Sequence, residues 1–201
     1  MLTPAVIIIG RYQPPHLGHY AIFDMAKKFA SDNPEVYQNP IVVVIDGEKS
    51  SKDKSVNPLT PEERINIMRS SKKAANVKYL IAKDVIDAFG KLKEADFNPI
   101  AVATGSDRGD SYVKMLDKYY DEPLKRKSLV LKRSELDVKD ATIDSILDNF
   151  DTDTPVEFIS GTLIRATVKR GDFDKFKMMV GIDSDSIAKD VFQKLKKSLG
   201  D

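Results

Sequence analysis

Apolar and polar positions change period repeatedly along the chain. Short runs rich in β-branched residues occupy 5–9, 41–45, 77–82, 100–103 and 128–131, each bounded by turn residues and each of strand length. Between them the spacing is helical: Ala21, Met25, Lys28 and Phe29 follow the first run, and Ile65, Met68 and Arg69 follow the second. This alternation predicts a parallel sheet covered by helices, an α/β architecture that binds ligands outside the carboxyl ends of its strands. The last third changes character. Asp151-Thr152-Asp153-Thr154-Pro155 reads as a turn, and a helix is expected over 162–170 with Ser160 near its N-cap and Gly171 as its stop. Two more helices, over 173–179 and 184–199, complete a C-terminal helical segment. No linker is visible between these parts, so residues 1–201 are expected to form one domain.

Composition narrows the partners. At 201 residues and 41% hydrophobic content the chain can bury roughly 70% of its unfolded surface. Lys and Arg number 32 against 31 Asp and Glu, a formal charge of +1, so no global field recruits nucleic acid or an anionic membrane and any basic site must be local. The absence of Cys excludes disulfides, thiolate metal sites and a cysteine nucleophile, and fits a reducing compartment. The apolar runs are too short to span a bilayer and no signal-peptide pattern opens the chain, so a soluble, cytoplasmic protein is expected.

Four segments could carry chemistry. In the first, Gly10-Arg11-Tyr12-Gln13-Pro14-Pro15-His16-Leu17-Gly18-His19, the only two histidines stand three residues apart directly after the first strand. Gly10 and Gly18 permit close backbone approach, the prolines hold an extended lead into a helix, and free N–H groups at a helix start favour an anion. His16 and His19 share a helix face there and could grip polyphosphate oxygens. No further His or Cys exists to complete a soft metal site, so no protein-held metal is expected. The alternative is a capped helix with two ordinary surface histidines.

The second segment runs from Asp46 through the polar stretch 47–58 into Thr60-Pro61-Glu62-Glu63-Arg64. Thr60 and Glu63 form a capping box with Pro61 at the first helical position, and Arg64 lies one turn in, able to face the same strand ends as the histidines. Lys49, Lys52 and Lys54 could fold over a triphosphate or simply be a solvated loop. Third, Thr104-Gly105-Ser106-Asp107-Arg108 follows the fourth strand, where an acceptor or base would be read. Fourth, Ser160, Gly161 and Thr162 open a helix that carries Arg165, a second anion site facing the first.

Together these motifs resemble those of the HIGH-motif nucleotidyltransferase superfamily, and within it the archaeal-type nicotinamide mononucleotide (NMN) adenylyltransferases. Residues 10–19 are similar to Gly-Arg-Phe-Gln-Pro-x-His-x-Gly-His with Tyr12 in place of Phe, 57–64 to Asn-Pro-Phe-Thr-x-x-Glu-Arg, and 160–165 to Ser-Gly-Thr-x-x-Arg. Gly171-Asp172-Phe173-Asp174-Lys175-Phe176 also looks like small nucleotidyltransferases of large bacteriophages, in which case the compartment is the host cytoplasm. The middle departs from the archaeal pattern: there is no Trp, no Asn-Pro-Leu-Val turn and no Ser-His-Thr before Asn57.

The resemblance implies a Rossmann-like sheet with helices on both faces. It further implies transfer of AMP from ATP, with Mg²⁺, to a phosphorylated acceptor such as NMN, giving NAD and pyrophosphate. It casts His16, His19, Arg64 and Arg165 as catalytic, and Gly10, Arg11, Tyr12, Gln13, Gly18, Ser160, Gly161 and Thr162 as nucleotide-binding. Gly105, Ser106, Asp107 and Arg108 fall at the acceptor. Transfer of adenylyl or cytidylyl to another phosphorylated acceptor, or nucleotide binding without turnover, are the alternatives. A class I aminoacyl-tRNA synthetase shares the His-x-Gly-His element, but the Lys/Ser loop falls too early and 201 residues leave little room for an anticodon-binding domain. Sheet edges and the last helix are surfaces through which copies could associate.

Overall fold

The computed structural model describes residues 1–47, 57–105, 108–120, 124–131 and 142–200. Five parallel strands form its sheet: β1 (Thr3–Gly10), β2 (Ile41–Ile45), β3 (Lys78–Ala82), β4 (Phe97–Thr104) and β5 (Lys127–Val130), in the order β3-β2-β1-β4-β5. Central parallel strands are buried on both faces, which is why β1 is a near-continuous apolar run with Ala5, Val6 and Ile7 fully enclosed. Each of the five sequence runs lies on a strand, but β4 begins three residues early. Asn98-Pro99 resembles a turn in sequence; in the sheet Pro99 lies opposite Ala5, where the β1–β4 register shifts, and such irregularities accommodate a proline.

Alternate strand residues feed opposite faces. Val6, Ile8, Val42, Val44, Ala101 and Ala103 pack against α1 (Leu17–Asp32) and α2 (Pro61–Arg69). Ala5, Ile7, Ile41 and Val102 pack against α3 (Val85–Glu94) and α4 (Arg108–Tyr119). The fold is thus Rossmann-like, with helices on both faces of a parallel sheet.

The C-terminal helices α5 (Ile143–Asp148), α6 (Gly161–Lys169), α7 (Phe173–Val180) and α8 (Asp185–Ser198) gather a second apolar cluster around Leu163, Ile164, Phe176, Phe192 and Leu195. Ser160 caps α6 and Gly171, at φ +74°, follows its end, as the sequence implies. The short α5, capped by Thr142, is the one helix of this segment with no clear sequence signal. Helix α2 ties the two clusters together: Ile65 and Met68 face the sheet, Ile67 joins the C-terminal cluster, and Glu63 pairs with Lys194 of α8. No helix among the described residues is long and apolar enough to cross a membrane.

The strand order fixes where a ligand belongs. After β1 the chain builds outward through β2 and β3, then returns to the other side of β1 to lay down β4. The carboxyl ends of β1 and β4 therefore diverge at a topological switch point, a crevice bounded by Gly10 and Thr104.

Candidate active site

The chain leaving β1 folds tightly over the strand end. Tyr12 adopts φ +54°, which swings its ring back beneath Gly10; a Cβ on Gly10 would lie 2.8 Å from that ring. The buried Tyr12 hydroxyl donates to the Ile8 carbonyl at 3.3 Å, and burial pushes its pKa far up, so it stays a neutral donor. The ring meets His19 edge-on, with centroids 4.8 Å apart. Tyr12 therefore supports the histidine from below, and Gly10 is glycine because that ring needs the space.

Gln13 precedes a cis bond to Pro14. Its side-chain amide donates to the Leu59 carbonyl at 2.7 Å and accepts from the Leu59 amide at 3.2 Å, clasping the 57–60 segment to the first motif. His16 is the N-cap of α1 with an extended backbone, and its carbonyl accepts from His19 and Tyr20. The imidazoles of His16 and His19 lie 3.7 Å apart, tilted by 34°, at the start of that helix. A Cβ on Gly18 would stand 3.0 Å from the Val156 carbonyl and 3.1 Å from the His16 ring, so Gly18 makes room for both.

The second wall arrives from the C-terminal segment. Ser160 caps α6 by accepting from the Leu163 amide at 3.2 Å. A Cβ on Gly161 would meet the Gln13 carbonyl at 3.2 Å and the Arg165 guanidinium at 3.2 Å, so the start of α6 abuts the first motif. Exposed Thr162 accepts from Arg165 Nη2 at 3.3 Å. Burial, and then the like charge of Arg11, press the Arg165 guanidinium below its ordinary pKa. The Arg165 cation is thus disfavoured at the start of α6, and an anion there would relieve it.

Arg64 is placed differently. Only 1% exposed, its guanidinium donates to Arg11 O (2.6 Å), Ile45 O (2.9 Å), Thr60 O (3.1 Å) and Asp46 Oδ1 (2.5 Å). Burial lowers its pKa while the Asp46 carboxylate opposes the shift. Four of its five N–H donors are committed to protein acceptors, three at the ends of β1 and β2 and one, the Thr60 carbonyl, at the start of its own helix. The capping box that delivers it is complete: Thr60 Oγ1 accepts from the Glu63 amide, and Glu63 Oε2 accepts from the Thr60 amide.

These contacts bring residues 10–19, 57–64 and 160–165 into one constellation beside the switch point. The chain belongs to the cytidylyltransferase-like family. The family model of that description matches residues 7–167, which takes in all three segments. The cytidylyltransferase-like fold recurs in a crystal structure described as a macrolide-efflux protein from Streptococcus pneumoniae, with a TM-score of 0.55 and 17% identity over 89% of this chain and 55% of that one. The chain thus spans about half of that protein's length, and the likeness is one of fold. No curated protein matches the chain.

On the β4 side of the switch point, Gly105 directly follows the strand, where a Cβ would press to 3.0 Å from Ile22, and exposed Arg108 opens α4. Ser106 and Asp107 lie outside the described residues, as do Lys49, Lys52, Lys54 and Ser55. Two features of the constellation went unread in the sequence. Asp46 opens the second segment, but nothing in the sequence marks its carboxylate as the one that receives Arg64. Leu59, clasped by Gln13, contributes through its backbone, which residue identity does not reveal.

Proposed function

We propose that the protein transfers a nucleoside monophosphate, AMP from ATP, to a phosphorylated acceptor such as NMN, releasing pyrophosphate. The observation that carries this reading is the convergence of the His16–His19 pair with the start of α6 and its Arg165 beyond the carboxyl end of β1. An oxygen of the acceptor phosphate attacks the α-phosphorus in line, the bond from that phosphorus to the β-phosphate bridging oxygen breaks, and pyrophosphate departs with Mg²⁺. The acceptor is already ionised at neutral pH, so no protein nucleophile is needed and catalysis reduces to alignment and charge neutralisation.

In this reading His16 and His19 hold oxygens of the α- and β-phosphates. Arg165, Arg11 and the N–H groups from Gly161 and Thr162 take the β,γ side. Mg²⁺ enters with ATP on the triphosphate oxygens. Arg64 acts as a positioning residue: it fixes the Arg11 backbone and the end of β2, and Gln13 anchors the segment that leads into α2. Gly105, Ser106, Asp107 and Arg108, the stretch that follows β4 in sequence, fall to the acceptor. ATP and the small acceptor are the partners in this scheme, and the cytoplasm, where both are found, is the compartment.

The family description favours a second donor, CTP, with the same chemistry and the same phosphate contacts. Each NTP supplied with Mg²⁺ and a panel of phosphorylated acceptors, NMN and nicotinate mononucleotide first, separates the readings by pyrophosphate release. ATP with NMN is the expected active pair. Release only with CTP transfers the reading to a cytidylyltransferase, and NTP binding without pyrophosphate from any acceptor contradicts both.

A further inference from the structure

At the opposite edge of the sheet, where β2 and β3 begin, lies a cavity of about 550 Å³ lined by Tyr37, Asn39, Arg69, Ala74, Ala75, Asn76, Val77, Lys78 and Tyr79. It is remote from the carboxyl strand ends and plays no part in the transfer scheme. Its chemistry is distinctive. Two cations, two side-chain amides and two phenol rings line it, without a carboxylate among the described lining residues. The segment 69–78 carries four cations and no acid in a chain whose charges otherwise balance, so this is a local basic site.

Both cations rest on aromatic faces. The Arg69 guanidinium carbon is 5.4 Å from the Tyr79 ring centre. Lys78 Nζ is 4.8 Å from the Phe97 ring and 6.0 Å from the Tyr37 ring, and those two rings pack at 5.0 Å. Cation–aromatic contact orients a positive group without neutralising it, so each remains able to receive an anion. Ala74 and Ala75 keep the wall low, and Asn76, at φ +60°, turns the chain into β3.

We propose that this cavity is a second binding site, for a nucleoside monophosphate. The phosphate sits at Arg69, with Lys78 adding positive charge from the other face of the sheet, the base lies along the 74–77 wall, and the amides of Asn39 and Asn76 meet the ribose or the base edge. The volume falls within the roughly 300–1,000 Å³ of small-molecule sites and far exceeds what a bare phosphate needs. The site stands independently of the transfer reaction.

The test is a ¹H–¹⁵N NMR titration with AMP on full-length protein carrying His16→Ala and Arg165→Ala, which removes binding at the histidine site. The expected result is saturable shifts grouped on Asn39 and residues 74–79 with half-saturation below about 1 mM. Affinity is expected to fall tenfold or more with Arg69→Gln/Lys78→Gln. Should that pair fail to fold, Ala75→Glu, which adds a carboxylate at an exposed point of the lining, is expected to weaken binding similarly. Four results overturn the proposal: no shifts there up to about 10 mM AMP, equal affinity for inorganic phosphate, indifference to the lining substitutions, or an oligonucleotide binding more than tenfold tighter than AMP, which would make this a strand-binding surface.

Discussion

Arg64 and Arg165 carry the same guanidinium into very different surroundings, and substitution separates their roles. Arg64→Ala strands the Asp46 carboxylate and the backbone carbonyls of Arg11 and Ile45 at the ends of β1 and β2. A loss on the order of 3 kcal/mol in stability is expected, tempered by the partial exposure of Asp46. Lys at position 64 should recover little, because one ammonium cannot reproduce a planar fork reaching four acceptors. Urea unfolding of the two variants is the measurement. Among the described residues Arg165 makes one weak side-chain hydrogen bond, to Thr162, so Arg165→Ala should unfold near the wild-type midpoint while losing triphosphate affinity. His19→Ala should likewise fold, and lose roughly 10²-fold or more in turnover if His19 stabilises charge in the transition state. Near-wild-type turnover in that variant would remove His19 from the mechanism.

Between residues and molecule, α2 is the decisive element. Its N-terminus is held by the Thr60–Glu63 box, its flank by Gln13 through Leu59, and its far face by Lys194 of α8. Thr60→Ala should cost about 1 kcal/mol, seen as a lowered urea midpoint with unchanged slope. Gln13→Ala leaves the Leu59 amide and carbonyl without their clasp, and should raise KM for the triphosphate more than it lowers kcat. Legibility in the sequence divides at this level. The capping box, the Ser160 cap and the Gly171 stop are local chemistry, fixed by residues three or four apart, and could be read directly. The clasp on Leu59 joins residues 46 apart in the chain through backbone atoms, and the buried fate of Arg64 depends on Asp46, just past the end of β2; neither leaves a periodic trace. Position 99 shows the reverse case, in which a strong local turn signal yields to pairing across the sheet.

For the molecule as a whole, buried tyrosines set the alkaline limit. Burial raises the Tyr79 and Tyr120 hydroxyls from 10.0 to about 12, and Tyr12 and Tyr20 further still; Tyr120 also donates to the carbonyls of Phe89 and Phe97 at 3.2 Å each. Between pH 10 and 12 the unfolded chain has released protons that the folded one retains. Stability is therefore complete below pH 10 and declines as pH rises through the folded values. Chemical denaturation across pH 8–12 should show that decline, with a shallower slope in Tyr120→Phe. The strand order belongs to this scale too. Alternating strands and helices in the sequence imply a parallel sheet, but only the assembled order β3-β2-β1-β4-β5 places the switch point beside the histidines.

The central claim is that His16, His19 and Arg165 act as one polyphosphate clamp for nucleotidyl transfer. Its most direct test is pyrophosphate release from ATP, Mg²⁺ and NMN, compared between the wild-type protein and a His16→Ala/His19→Ala variant of unchanged fold. The account predicts acceptor-dependent pyrophosphate from the wild type and a loss of roughly 10²-fold or more in the variant. Equal release from both proteins, or no release from the wild type with any NTP and any phosphorylated acceptor, would contradict it.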